Sequence, residues 1–195
     1  PVATRLYPAV GRDVSWFRGI GMPIPAYLEK AGLLREGLLL VHNVHLSREE
    51  IGILRKGRAR FILCPRSNAA HGNGQADVTH FVDTGIPFAL GTDSLGSVPD
   101  LSVWEEMRAA RSIYRGNLPD TELCRVLFRA ATINGAAALG LAGGSLRPGA
   151  AADFIVADNP RCGDGGTTIR DLVERTKGKN IRMTVVGGSP RFERA

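Results

Sequence analysis

The sequence is poor in cysteine and has no long apolar run. Its three cysteines, Cys64, Cys124 and Cys162, are odd in number and lack metal-motif spacing. That pattern gives no sign of a disulfide framework or a cysteine metal cluster, fits a reducing compartment, and leaves the three as core or surface thiols. No stretch of about 18 apolar residues and no signal-peptide pattern occurs, so nothing points to membrane insertion or export. A cytoplasmic protein without a membrane partner is expected. Also missing is a basic block with interleaved aromatics. The net charge of +6 comes mainly from arginine spread along the chain, and no nucleic-acid partner is expected. The chain starts at Pro1 without a methionine, which predicts a processed or partial chain.

What is present is ordinary for a globular protein. There are 195 residues, 44% of them hydrophobic, enough to bury a real core. One stretch organises the rest: Phe88-Ala89-Leu90-Gly91-Thr92-Asp93-Ser94, a short apolar run ending at a single acid. Such a run reads as a buried parallel strand, and an ionisable group just past its carboxyl end sits where α/β barrels keep their chemistry. The alternative for Asp93 is a helix N-cap.

The remaining chain supplies two similar strand ends. Residues 1–22 carry Pro1, Pro8, Gly11, Gly19 and Gly21 and read mostly as loop. A short helix is predicted over Pro23 to Ala31, stopping at Gly32. Leu38 to Val41 reads as a fully buried strand that delivers His42 at its carboxyl end. Ser47 and Glu50 form a capping-box pattern opening a helix with Ile51 and Leu54, which stops near Gly57. Arg60 to Cys64 is the next buried strand, broken by Pro65 and followed by a polar loop, Arg66-Ser67-Asn68. Gly72-Asn73-Gly74 marks a turn, Asp77 to Thr84 a helix ended by Gly85. A helix is predicted from Leu101 to Tyr114. Leu123, Val126, Leu127 and Ala130 recur at helical spacing, which predicts one amphipathic helix from Pro119 to Ala138. Beyond Gly143 the texture changes: a turn at Ser145 to Gly149, a strand at Ala152 to Ala157, loop over 158–167, and a strand at Ile181 to Val186.

Strand and helix alternate three times, the grammar of βα units on a parallel sheet. Three units are less than half of a closed eight-stranded barrel of about 250 residues, and an open sheet is the alternative architecture.

Five segments then carry a specific resemblance. Val41-His42-Asn43-Val44-His45-Leu46, Cys64-Pro65-Arg66-Ser67-Asn68, and Gly91-Thr92-Asp93-Ser94 with Glu-Glu-Met-Arg at 105–108 are followed by Thr132-Ile133-Asn134-Gly135-Ala136 and Gly149 to Val156. Together they resemble the carboxyl-terminal half of the metal-dependent amidohydrolase superfamily. The nearest branch is the aminohydrolases: S-adenosylhomocysteine, guanine and aminodeoxyfutalosine deaminases with their triazine chlorohydrolase relatives. The match runs from Ala26 to Gly188.

The resemblance implies an α/β fold comprising strands 6 to 8 of a TIM-type (β/α)8 barrel in residues 1–142. Residues 143–195 would return the chain to part of a small β-sandwich. His42 would end barrel strand 6, ligating a metal or polarising the substrate. Asp93 would end strand 8, touching the metal and taking a proton from the attacking water. Ser67 and Asn68 would border the substrate, or serve as turn residues; Ser94 flanks the acid. His45 matches a recurrent second histidine, or is a capping group. The Arg66 guanidinium would reach an anionic substrate group or a nearby carboxylate. His71 and His80 read as solvated. The implied cofactor is a divalent metal, zinc with iron as the alternative, which lowers the pKa of water to roughly 7.

The departures are equally definite. The family's first two ligands form His-x-His at the end of strand 1, and no such pair occurs here. Its strand 5 histidine, followed by a proton-shuttling glutamate, would precede Pro23, yet residues 1–22 hold neither residue type. Most metal ligands are therefore expected in an amino-terminal half outside this sequence. The implied reaction is hydrolysis of a C–N bond in a cyclic amidine or amide, deamination of a purine-like or nucleoside-like small molecule. Imidazolonase or chlorohydrolase chemistry is one alternative, and a catalytically dead scaffold on the same fold is another. The expected partner is a second copy or the complementing half. Metal analysis and a deamination assay on the isolated chain should both be negative; two positives would refute the partial-centre reading. Light scattering should show association, because the strand at Leu38 to Val41 is left with an unpaired edge.

Overall fold

Three apolar segments become three parallel strands, because each is too short for a helix and is closed by glycine, proline or a polar turn. The structure is a computed structural model, and it describes residues 5, 7–14, 16, 19, 21–158 and 168–194. The expected loop at 158–167 and Cys162 lie almost wholly outside the described residues. Strands β1 (Leu39–Val41), β2 (Arg60–Leu63) and β3 (Phe88–Leu90) pair in that order, with Val41, Ile62 and Ala89 in register.

One face of this sheet carries the core. Leu40, Phe61, Leu63, Phe88 and Leu90 share that face by register and pack with buried residues of the helices. These come from α3 (Arg48–Lys56), α5 (Val78–Asp83), α6 (Val103–Ile113) and α7 (Asp120–Ala131). Phe81 lies at the centre, its ring 5.2 Å from Phe61 and 5.7 Å from Phe88. The other face is open beside β1: Leu39 is 40% and Val41 48% exposed. The expectation of a fully buried first strand is thus corrected. β1 pairs only with β2 among the described residues, so Leu39 and Val41 stay part-exposed at the sheet edge while Ala89, on the same face, is buried.

Several element boundaries follow local chemistry. Ser47 and Glu50 form the capping box of α3, each side chain bonded to the other's backbone. The preceding helix, α2, spans Ile24–Lys30 after a single turn, α1, at Tyr7–Ala9. Arg66-Ser67-Asn68 is helical and not loop: α4 spans Pro65–His71. Proline at the first helical position loses no bond there, and Gly72 ends the helix at φ 63°. The helix expected over Pro119 to Ala138 is two, α7 and α8 (Ile133–Ala138), broken at Thr132 with φ −127° and ψ −91°. Thr132 bonds back to the Phe128 carbonyl at 2.7 Å, and Asn134 donates to the Phe88 carbonyl at 2.9 Å. Gly144 crosses beside the break; a Cβ there would lie 2.7 Å from the Thr132 oxygen and Ile133 Cα.

The chain ends in an antiparallel sheet of β4 (Phe154–Ala157), β5 (Ile181–Val186) and β6 (Ser189–Glu193). Gly187 and Gly188, both at positive φ, form the β5–β6 turn, the conformation that two-residue hairpins require. Between β4 and β5, α9 (Ile169–Arg175) packs on α6 and α7, with Val173 fully buried. Arg108 donates to the carbonyls of Val173 and Thr176. No helix among the described residues is long and apolar enough to cross a membrane.

Two substitutions gauge this architecture in denaturant titrations. Phe81→Ala should cost about 3–5 kcal/mol through cavity formation. Ser47→Ala should cost about 1 kcal/mol through loss of the cap.

Candidate functional site

The carboxyl ends of β1 and β3 turn sharply, and they turn through residues that tolerate it. His42, Asn43 and Asp93 all sit at positive φ, 72°, 55° and 65°, a region where Asn, Asp and His are enriched among non-glycine residues. Asn43 is buried, and its amide donates to the carbonyls of Leu40 at 2.8 Å and Ile62 at 3.0 Å. The Ile62 carbonyl also accepts the His42 amide at 2.9 Å, so the Asn43 side chain adds to the ladder between the two strands and pins the exit of β1 to β2. No helix starts at Asp93; α6 takes Ser102 as its N-cap. The capping alternative for Asp93 therefore falls away.

His42 and Asp93 lie on one rim, with Asp93 Oδ2 3.9 Å from His42 Nε2. The same oxygen accepts from the Ser67 hydroxyl at 2.5 Å and the Ser97 hydroxyl at 3.1 Å. Asn68 Oδ1 is 2.9 Å from His42 Nδ1. An amide oxygen can only accept, so Nδ1 carries the proton in the neutral ring and Nε2 presents its lone pair. Ser67 and Asn68 are both buried. The hydroxyls of Ser67 and Ser97 and the imidazole of His42 hold the Asp93 carboxyl below the usual range, against a desolvation effect in the other direction. The group is thus kept as a carboxylate, the form that accepts a proton.

A carboxylate oxygen and an imidazole nitrogen 3.9 Å apart suit a cation in kind. They do not suffice in number, since a zinc site takes three or four protein ligands. Among the described residues no three His, Cys, Asp or Glu side chains converge on a point that could hold an ion.

The other predicted residues are spread around the same rim. His45 is exposed and lines, with His42, Asn68, His71, Asn73 and Asp93, an open cleft of about 640 Å³. Ser94 is exposed; its carbonyl accepts the amides of Ser97 and Val98, and its hydroxyl is 3.5 Å from that of Ser97. Arg66 pairs with Asp100 at 2.8 Å and lies 3.7 Å from Glu106. Of its two alternatives the structure realises the nearby carboxylate, and Arg66 does not line the cleft.

Four residues of the site escaped the sequence reading. Ser97 braces Asp93, and exposed His71 reaches Ser97 with Nε2 at 3.0 Å. Asn43 ties the strand ends, and Glu106 is completely buried beneath α4. Asn43 stood inside the motif around His42, and Glu106 inside the Glu-Glu-Met-Arg segment; Ser97 and His71 carry no local signal. Burial is the main influence that raises the Glu106 carboxyl above its ordinary value. It also pushes the Cys64 thiol up to about 11, which leaves that cysteine an inert core residue; Cys124 is buried too.

A sequence profile of the amidohydrolase family matches residues 18–190. A 5-methylthioadenosine/S-adenosylhomocysteine deaminase of Natronomonas pharaonis is 33% identical over 166 residues, 83% of this chain and 38% of that protein. Among solved structures, an adenosine deaminase from Xanthomonas campestris with bound zinc superposes with a TM-score of 0.77 at 25% identity, covering 86% of this chain and 40% of that one. A triazine hydrolase from Arthrobacter aurescens gives 0.78 at 26% identity, with 89% and 40% covered. The chain thus spans about two fifths of the length of each.

The pH behaviour of the rim follows from the Asp93 contacts. Its folded pKa is depressed, so its contribution is full above the ordinary aspartate value of about 4 and is lost as pH falls through the depressed value. Carbon-13 titration should place the Asp93 midpoint below that value, and Ser67→Ala should move it upward. Wild type and Asp93→Asn should lose stability differently only in that acid range.

Proposed function

Because the chain belongs to the amidohydrolase family, we propose that its rim is the strand 6 to 8 portion of a metal-dependent hydrolytic centre. The reaction is deamination, with a C–N bond of a purine-like or nucleoside-like small molecule broken by water. Further ligands would come from sequence outside these 195 residues, in a complementing half or a second copy. When bound, a divalent ion, zinc or iron, lowers the pKa of water towards neutrality and so supplies the nucleophile.

The chain's own residues have separable tasks in this reading. Asp93 takes the proton of the attacking water and returns it to the leaving amine, which suits a carboxylate held ionised. Ser67 and Ser97 aim Oδ2. Asn68 accepts from His42 Nδ1, so that Nε2 of the neutral ring is free to ligate the metal, or, when protonated, donates to and polarises the substrate. His45 and Ser94, at the open side of the cleft, border the substrate. The observation that carries the proposal is the pairing of Asp93 Oδ2, bonded to Ser67, with His42 Nε2 at 3.9 Å. The likeness to a triazine hydrolase supports hydrolytic displacement of a substituent from a triazine ring as the second reading. A scaffold without activity is the third, supported by the two-donor set.

The test is product analysis of the metal-loaded protein that carries this chain. Ammonia from methylthioadenosine or S-adenosylhomocysteine supports deamination, chloride from a chlorotriazine the second reading, and neither the scaffold. If the deaminase reading holds, Asp93→Asn should lower kcat by about 10²- to 10⁴-fold, the usual scale of general acid–base catalysis, with KM little changed.

A further inference from the structure

Glu106 is the one fully buried carboxyl among the described residues. Its Oε2 accepts the backbone N–H of Arg66 at 3.1 Å, while Oε1 has no hydrogen-bond partner and lies 3.7 Å from the Arg66 guanidinium. Burying a carboxyl with half its acceptors unused is costly, and an apolar side chain of the same size would fill the space with less penalty. The single bond it makes is therefore informative. Pro65 has no N–H, so the Arg66 amide is the first free donor of α4, and nothing within so early a turn of the helix can accept it. The next two residues, Ser67 and Asn68, carry the contacts to Asp93 and His42. The Arg66 guanidinium adds a second tie from α4 to the start of α6, through Asp100 at 2.8 Å and the Ser102 carbonyl at 3.4 Å.

We propose that Glu106 is a positioning residue: from inside the α4–α6 junction it fixes the first turn of α4, and with it the reach of Ser67 to Asp93 and of Asn68 to His42. The inference rests on the rim being the functional site, but its test reads the geometry of the rim and needs no turnover. Failure of the deaminase assay therefore leaves it standing, and its own failure leaves that assay untouched.

The test compares Glu106→Gln, which keeps an acceptor oxygen, with Glu106→Met, which keeps the volume and removes the acceptor, in histidine-labelled protein. The readouts are the nitrogen-15 signals of the His42 ring and hydrogen exchange of the Arg66 amide. Glu106→Gln should resemble wild type in both. Glu106→Met should speed Arg66 exchange about tenfold, roughly what one hydrogen bond of ordinary net strength is worth. It should also shift the His42 Nδ1 signal towards that of Asn68→Ala. Met107→Ala on the same helix serves as the packing control and should leave His42 unchanged. Wild-type His42 and Arg66 signals in Glu106→Met would overturn the proposal, as would an equal His42 shift in the control. If Glu106→Met does not fold, Glu106→Asp, one methylene short of the Arg66 amide, should give the same His42 shift, and its absence would overturn the proposal equally.

Discussion

One carboxylate oxygen, Oδ2 of Asp93, is where three separate elements meet. Ser67 approaches from α4, Ser97 from the loop after β3, and His42 from the end of β1. Separate devices hold this arrangement. Asn68 orients the imidazole, Glu106 holds the turn that carries Ser67, and the left-handed backbone at Asp93 swings its side chain onto the rim. The acid has no role in the core, so its surroundings are arranged about the carboxylate itself. The core sits instead on one face of the sheet, where the Phe81 ring packs edge-on to Phe61 and tilted to Phe88.

That division explains how the sequence could be read so far from local patterns. Apolar runs closed by glycine, proline or a polar turn located all three parallel strands, and Ser47 with Glu50 located α3, because both signals depend on neighbours within a few residues. The acid, the imidazole and the serine-asparagine pair were visible as polar residues at strand ends. Thr132 defeated the periodicity, since a helix can keep its apolar spacing across a break caused by distant partners, here Phe88 and Gly144. Arg66 to Asn68 were misread because proline ends a strand and opens a helix with equal ease. Residue 71 was out of reach for another reason: its neighbour Ser97 is 26 positions away.

The ion pairs of the surface are arranged differently from the rim. Arg111 bridges Asp120 on α7 and Glu174 on α9, and Arg170 joins both acids. Exposed pairs of this kind contribute little singly, yet a network spanning three helices fixes how α9 docks. Arg108, bonded to the carbonyls at the end of α9, does the same from beneath. Specific orientation at the helices comes from arginine forks, whereas at the rim it comes from short hydroxyl and amide side chains that permit close approach.

The left-handed strand exits restrict the choice of amino acid in their own right. At positions 42, 43 and 93 the main chain already favours histidine, asparagine, aspartate or glycine over branched and bulky types. An Asp93→Glu exchange would thus combine an added methylene with torsional cost, and an Asp93→Gly exchange would remove the chemistry while relieving the torsion. Functional scans of these three sites measure two selections at once, and a tolerated residue there reports backbone geometry as much as reactivity.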